Sequence, residues 1–267
     1  MNKRLRGLTL SELLVALAIV VIVGSIAVPV VLSLKEGLRG SANAQTIIST
    51  ALQNARAIAM EKGQYSGVRF QQDQDGNQYA VYITHIPQGS GAAGGMTVYY
   101  KAVEGRSPVR LPEDMAVADM VVGTTASPVY TDRTFAVFSL ADVDLDSSIT
   151  DTTSFSVIFD SKGQLVKVVC RMRNRQGEYL PNDGGAGGDS NDRVFNSRPN
   201  VENDIAKFIQ DDYANLGLGG ELSRVQFKIF DKVKYREFEN SADKYEYLNT
   251  LPYVYVNQYT GKLMGGQ

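Results

Sequence analysis

The sequence predicts an α+β protein: a long N-terminal helix, membrane-spanning in its first half and amphipathic in its second, packed against an antiparallel β-rich head. Three observations predict it. Residues 8–34 are almost wholly apolar, residues 44–59 place apolar side chains at helical spacing, and short strand-like runs alternate with turn clusters from Gln64 onward. Hydrophobic residues make up 43% of the 267, enough to bury the core of one full domain. The formal net charge of −2, from 27 basic and 29 acidic residues, leaves no electrostatic footprint for nucleic acid. A single cysteine, Cys170, excludes an internal disulfide and thiolate metal clusters. A single histidine, His85, excludes a two-histidine metal site and is the one candidate base for a histidine triad.

The first element is residues 8–34. Lys3, Arg4 and Arg6 precede an apolar run of about 25 residues, long enough to cross ~30 Å of hydrocarbon at ~1.5 Å per residue. The basic flank stays in the cytoplasm, which puts the following head on the far side of the membrane. The competing reading is a removable signal peptide cut near Ala27, at Ser25-Ile26-Ala27, with a secreted enzyme or binding module behind it. The apolar run continues through Val28, Val30, Val31 and Leu32, past that cut, and so favours the membrane helix. Glu12 stands inside the run, where a carboxylate costs about 2.5–3.5 kcal/mol at a helix centre. Taken alone, it is most simply accommodated by snorkelling to the interface.

Gly7-Leu8-Thr9-Leu10-Ser11-Glu12-Leu13-Leu14 resembles the type IV prepilin signature: a short basic leader, then glycine, a hydrophobic residue, Thr, Leu, a variable residue and Glu. The resemblance implies a leader over residues 1–7, cleavage between Gly7 and Leu8 by a prepilin peptidase, and methylation of the new amine on Leu8. Phenylalanine is commonest at that position in the family, so Leu8 is a departure. The resemblance also gives Glu12 an assembly role, neutralising the N-terminal amine of a neighbouring subunit, and makes Pro29 a helix-kinking proline. It implies a pilin or pseudopilin of a type IV pilus or type II secretion system, not an enzyme and without a cofactor. The implied partners are the prepilin peptidase, other pilin or pseudopilin subunits, the inner-membrane assembly platform and, before assembly, membrane lipid. The implied location is the bacterial inner membrane, single-pass, with a cytoplasmic N-terminus and a periplasmic head, and an extracytoplasmic filament after assembly.

The second element, residues 35–63, continues the helix in amphipathic form. Ala44, Ile48, Ala51, Leu52, Ala55, Ile58 and Ala59 fall on one face, with Gln45, Ser49, Gln53, Arg56 and Lys62 away from it. Pro29, Gly37 and Gly40 are points of bending, and Gly63 is a C-cap. A separate helix after a linker is the alternative, because two glycines lie three residues apart.

Residues 64–267 form the head. "QYSGVRF" and "QYAVYITHI" flank the turn cluster Asp73 to Asn77, and "MTVYYKAV" follows a Gly-rich loop. Further strands are expected at 115–122, 134–140, 153–159 and 164–171, the last two joined by Asp160-Ser161-Lys162-Gly163. This meander lays its apolar side on the helix. "FSVIFDSKGQLVKVV" is similar to the C-terminal hairpin of the pseudopilin H and minor pilin T subfamily. Residues 174–200 read as a long loop, and 201–215 as a short helix capped by Asn200, with Ile205, Phe208 and Ile209 on one side. "LSRVQFKIF" and "YVYVNQYTGKLM", with its Thr260-Gly261 turn, are strands of the same head, a small second domain being the alternative.

Candidate sites are few. Asp142, Asp144 and Asp146 open a calcium-loop spacing that lacks the required Gly and twelfth-position Glu, since Ser147 and Thr153 stand there. Asp183, Asp189 and Asp192 are acidic residues of a Gly-rich loop without defined spacing. His85 is expected at a strand end, and Cys170 as a buried thiol alternating inward with Val166 and Val168. Ser90 lacks the first glycine of a nucleophile elbow, and the runs 184–188 and 217–220 lack the strand–helix context of a phosphate loop. Tyr235, Tyr245, Tyr247, Tyr253 and Tyr255 fit a contact surface or a sheet core equally well.

Overall fold

A computed structural model of the protein describes Leu14, Val15, Leu17 and residues 40–86, 98–119, 153–174, 191–210 and 221–265. Leu14, Val15 and Leu17 are helical, and each apolar side chain is more than half exposed. The expected strand at 134–140, the leader and most of the expected membrane segment lie outside the described residues. Among the described residues, no helix is long and apolar enough to cross a membrane.

Helix α1 covers residues 40–62. It is rich in alanine and free of proline, both favourable to a helix interior. All seven apolar residues of the expected stripe are buried, from Ala44 to Ala59. Gly63 ends the helix with φ of +63°, and the Gln64 amide bonds back to the Ala59 carbonyl at 3.2 Å, a Schellman closure. The outer face carries Thr46 and Thr50, whose hydroxyls donate to the carbonyls one turn back, Ala42 and Thr46. Gly40, expected as a bend, is helical, and a side chain there would meet Asp114 Oδ2 at 2.5 Å.

Strands β1 (Ser66–Gln72) and β2 (Gln78–His85) form a seven-pair antiparallel hairpin. Its turn is set by Asp73, whose Oδ1 accepts from the amides of Asp75 and Asn77, with Gly76 at φ of +74°. β3 (Val98–Ala102) and β4 (Val109–Arg110) both pair with β2, and β6 (Phe155–Phe159) with the other edge of β1. The expected strand at 164–171 is two strands, β7 (Leu165–Val166) on β6 and β8 (Val169–Met172) on β3. β11 (Glu221–Leu222) pairs with β8, so the order is β11-β8-β3-β2-β1-β6-β7.

That order requires the sheet to roll up. β7 and β8 stand five strand spacings apart, about 24 Å in a flat sheet at ~4.8 Å per strand. The chain between Val166 and Val169 reaches no more than about 11 Å. The seam is closed by the segment after β11. Ser223 donates its amide to the Val168 carbonyl and its hydroxyl to the Val166 carbonyl, and accepts from the Val168 amide. The Arg224 amide donates to the Ser156 carbonyl of β6.

Two cores result, one on each face. On the outer face Val68, Phe70, Ala80, Tyr82, Phe155, Val157 and Phe159 pack with the α1 stripe. Phe70, Phe155 and Phe227 form a ring cluster with centroids 5.1–5.6 Å apart. Inside the roll lie Val81, Ile83, Tyr100, Ile158, Cys170 and Met172, with Phe195 and Phe208.

β5 (Met115–Ala118), β12 (Gln226–Asp231), β13 (Val254–Val256) and β14 (Leu263–Gly265) form a second sheet, ordered β14-β13-β12-β5. Phe227 and Val256 enter the α1 core, while Ala116, Ala118 and Phe230 face two helices the sequence did not suggest, α3 (Lys232–Arg236) and α4 (Ser241–Thr250). Three expectations for the head are corrected. The sheets are mixed, because β3–β8 pair in parallel. Residues 191–200 are not loop: β9 (Phe195–Asn196) and α2 (Arg198–Glu202) lie there. Residues 201–215 are not one helix: Pro199 starts α2 early, Asp204 at φ of +58° follows its end, and Phe208–Ile209 extend as β10, parallel to β9. Ile205, expected on the same side as Phe208 and Ile209, is 52% exposed while they are buried.

Candidate functional site

The residues with the strongest chemical expectation, Gly7, Leu8, Glu12 and Pro29, lie outside the described residues, as do Asp142, Asp144, Asp146, Asp183, Asp189, Ser90 and both glycine runs. The described structure supplies the seat that receives helix α1. α1 is clasped by two tight turns. The Gly163 carbonyl accepts from Arg56 Nε at 2.9 Å, and a side chain on Gly163 would meet Met60 Sδ at 2.8 Å. A side chain on Gly261 would meet the Phe159 ring at 3.3 Å and the Leu52 carbonyl at 3.5 Å. Both glycines have positive φ, +75° and +68°, so each turn presents bare backbone to the helix.

The other expected side chains take structural positions. His85 ends β2, half-buried, with its ring edge-on to Tyr65 and Tyr100. Burial pushes its pKa below the usual histidine value. Cys170 is buried inside the roll, with Val166 and Val168 packed on the same cluster. The Tyr100 hydroxyl is buried there too, and burial drives its pKa up, which keeps the phenol neutral. Asp192 is buried, and its Oδ1 accepts from the Val194 amide, which fixes the entry to β9. Tyr235 of α3 and Tyr247 of α4 are core residues, whereas Tyr255 is 40% exposed, so the tyrosines divide between the two roles. Lys228 is buried beneath α4, and its ammonium donates to the carbonyls of Leu248 and Asn249 at the helix C-terminus. Among the described residues, no group of three or more His, Cys, Asp or Glu is placed to hold a metal ion.

Sequence reasoning missed one feature, a surface cleft of about 520 Å³. It opens between the β1–β2 turn, β4, the start of β9 and the α2–β10 connection, and its lining includes Tyr79, Arg110, Arg193, Asp204, Ile205 and Lys207. Arg110 is the cross-strand partner of Tyr79 and donates to Asn77 Oδ1. Lys207 Nζ lies 3.9 Å from the centre of the Tyr79 ring. These residues come from four separate stretches of chain, so no local motif could announce them.

Residues 2–28 match the family model described as the prokaryotic N-terminal methylation motif. No curated protein and no solved structure matches the chain. The matched segment contains the Gly7–Glu12 signature and ends before the helix that the head receives. That motif is the processing signature of type IV pilin-like, prepilin-processed proteins, which are typically structural, envelope-associated subunits.

Proposed function

We propose that the protein is a minor pilin or pseudopilin subunit, cleaved between Gly7 and Leu8, methylated on Leu8, and assembled into a type IV pilus or type II secretion pseudopilus. The observation that carries this reading is the methylation motif at residues 2–28, joined to a head that buries one face of the helix over 40–62. Gly7 lets extended backbone pass close to a peptidase's catalytic groups. Cleavage creates an amine near Glu12, and a buried carboxylate that is costly alone becomes tolerable when paired with such an amine. Paired between neighbours, amine and Glu12 fix the axial register of one subunit on the next, as a single polar residue does in a coiled coil. Residues 8–34 hold the subunit in the inner membrane, head outward, until the assembly platform extracts it, and Pro29 is the point where the helix kinks.

The test is the mature N-terminus in cells that carry a prepilin peptidase. Mass spectrometry should find N-methyl-Leu8, and Gly7→Val should retain residues 1–7. A mature chain beginning at Val28 would instead identify a secretory signal and overturn the proposal.

A further inference from the structure

The β13–β14 hairpin ends the second sheet, and among the described residues β14 has no strand neighbour besides β13. The Asn257 amide donates to the Lys262 carbonyl at 2.8 Å, and the Val256 amide donates away from β14, to the Val225 carbonyl at 2.9 Å. Directions alternate along a strand, so Met264 turns its amide and carbonyl toward β13, and Leu263 and Gly265 turn theirs to the outer edge. Gly265 is exposed in the folded chain, and an exposed glycine is exposed backbone. β14 contains no proline and no charge, two devices that keep a sheet edge from pairing. The face beside this edge is apolar. Over β5 and β12 it is covered by α3 and α4, which bury Ala116, Ala118 and Phe230. Over β13 and β14 the cross-strand partners Tyr255 and Met264 stay 40% and 44% exposed on it. The Asn257 side-chain amide donates to Met264 Sδ at 3.5 Å.

We infer that β14 pairs with β14 of a second copy of the chain, antiparallel about a two-fold axis at Met264. In that register Leu263 of each copy lies opposite Gly265 of the other, and each such pair exchanges its outward N–H and C=O groups. The same surface serves both sides, as a two-fold contact requires. The two Met264 side chains stand next to each other, so a row of Tyr255, Met264, Met264 and Tyr255 crosses one continuous sheet. Thioethers adapt to irregular contacts, and tyrosine and methionine are enriched at interfaces. Charge fits this register as well. Lys262, exposed just before the strand, is the cation beside the edge. The two-fold axis holds its two copies four strand positions apart, about 14 Å at ~3.4 Å per residue and beyond the ~8 Å screening length. A strand of three residues per side is small beside the roughly 20–30 residues of a standard interface, so the pairing is weak and exchanges. This inference does not rest on N-terminal processing.

The experiment traps the pair by oxidation of the full-length protein in a neutral detergent with oxidised glutathione. Met264→Cys should give a disulfide-linked dimer on a non-reducing gel, because facing Cα atoms at such a position stand ~4.5 Å apart, within disulfide reach. Lys262→Cys should stay monomeric, since its symmetry mate lies about 14 Å away. The wild-type chain should stay monomeric too, because Cys170 is buried. Adding Gly265→Pro to Met264→Cys removes an amide that the β13–β14 ladder does not use, and should slow cross-linking about tenfold or more. The circular dichroism melt of that double variant should match that of Met264→Cys alone. A Met264→Cys chain that stays monomeric would overturn the proposal, as would Lys262→Cys cross-linking equally fast. Cross-linking that ignores Gly265→Pro would also overturn it, since the copies would then meet through another surface.

Discussion

Gly67 sits where β1 and β6 approach too closely for any side chain, because a Cβ there would overlap the Val157 carbonyl and crowd Ile158. Gly67→Ala therefore forces two central strands apart, and overpacking of this kind costs about 1–3 kcal/mol. The expected result is a lower denaturant midpoint for the head with an unchanged slope. A midpoint equal to wild type would show that β6 shifts without penalty. His85 takes the strand-end position expected of it. Its rarity marks it as a catalytic candidate, yet its neighbours in space are Tyr65 and Tyr100, and burial favours its neutral ring.

At the scale of elements, the roll depends on Ser223, a residue that belongs to neither strand it joins. Its hydroxyl satisfies the Val166 carbonyl and the Val168 amide at the point where β7 gives way to β8. Ser223→Ala leaves both groups short of a partner in a site where Ser223 itself is buried, at a cost of about 1–3 kcal/mol. Hydrogen exchange should show the Val168 amide losing protection while the amides paired between β1 and β2 keep theirs. Equal protection in the variant would remove the seam role. This seam also explains what the sequence could reveal. The α1 stripe and the Asp73 and Thr260-Gly261 turns were legible, because each is fixed by residues a few positions apart. The break at Lys167-Val168 was not, since it follows from pairing with residues 221–224, far along the chain. Phe208 and Ile209 have helical spacing from Ile205, but parallel pairing with β9 and burial against Phe195 decide their conformation. The cleft was illegible for the same reason, being assembled from four separate segments.

At the scale of the whole molecule, the motif at residues 2–28 and the head whose core buries α1 make separable contributions. Glu12→Ala should leave residues 2–28 cleavable yet prevent stable incorporation into filaments, a loss measured by co-sedimentation of the variant with the sheared filament fraction. Incorporation at the wild-type level would rule out the pairing role proposed for Glu12. Processing and incorporation thus report on different residues, Gly7 for the first and Glu12 for the second.

The burial of α1 has a mechanical consequence. Its inner face, from Ala44 to Ala59, is part of the principal core, and turns at Gly163 and Gly261 grip it from the sheet side. A tensile load applied through the N-terminal segment therefore enters the head as shear spread over many apolar contacts. No single bond carries the force, and the helix cannot be drawn out without opening the packing around Phe70, Phe155 and Phe227.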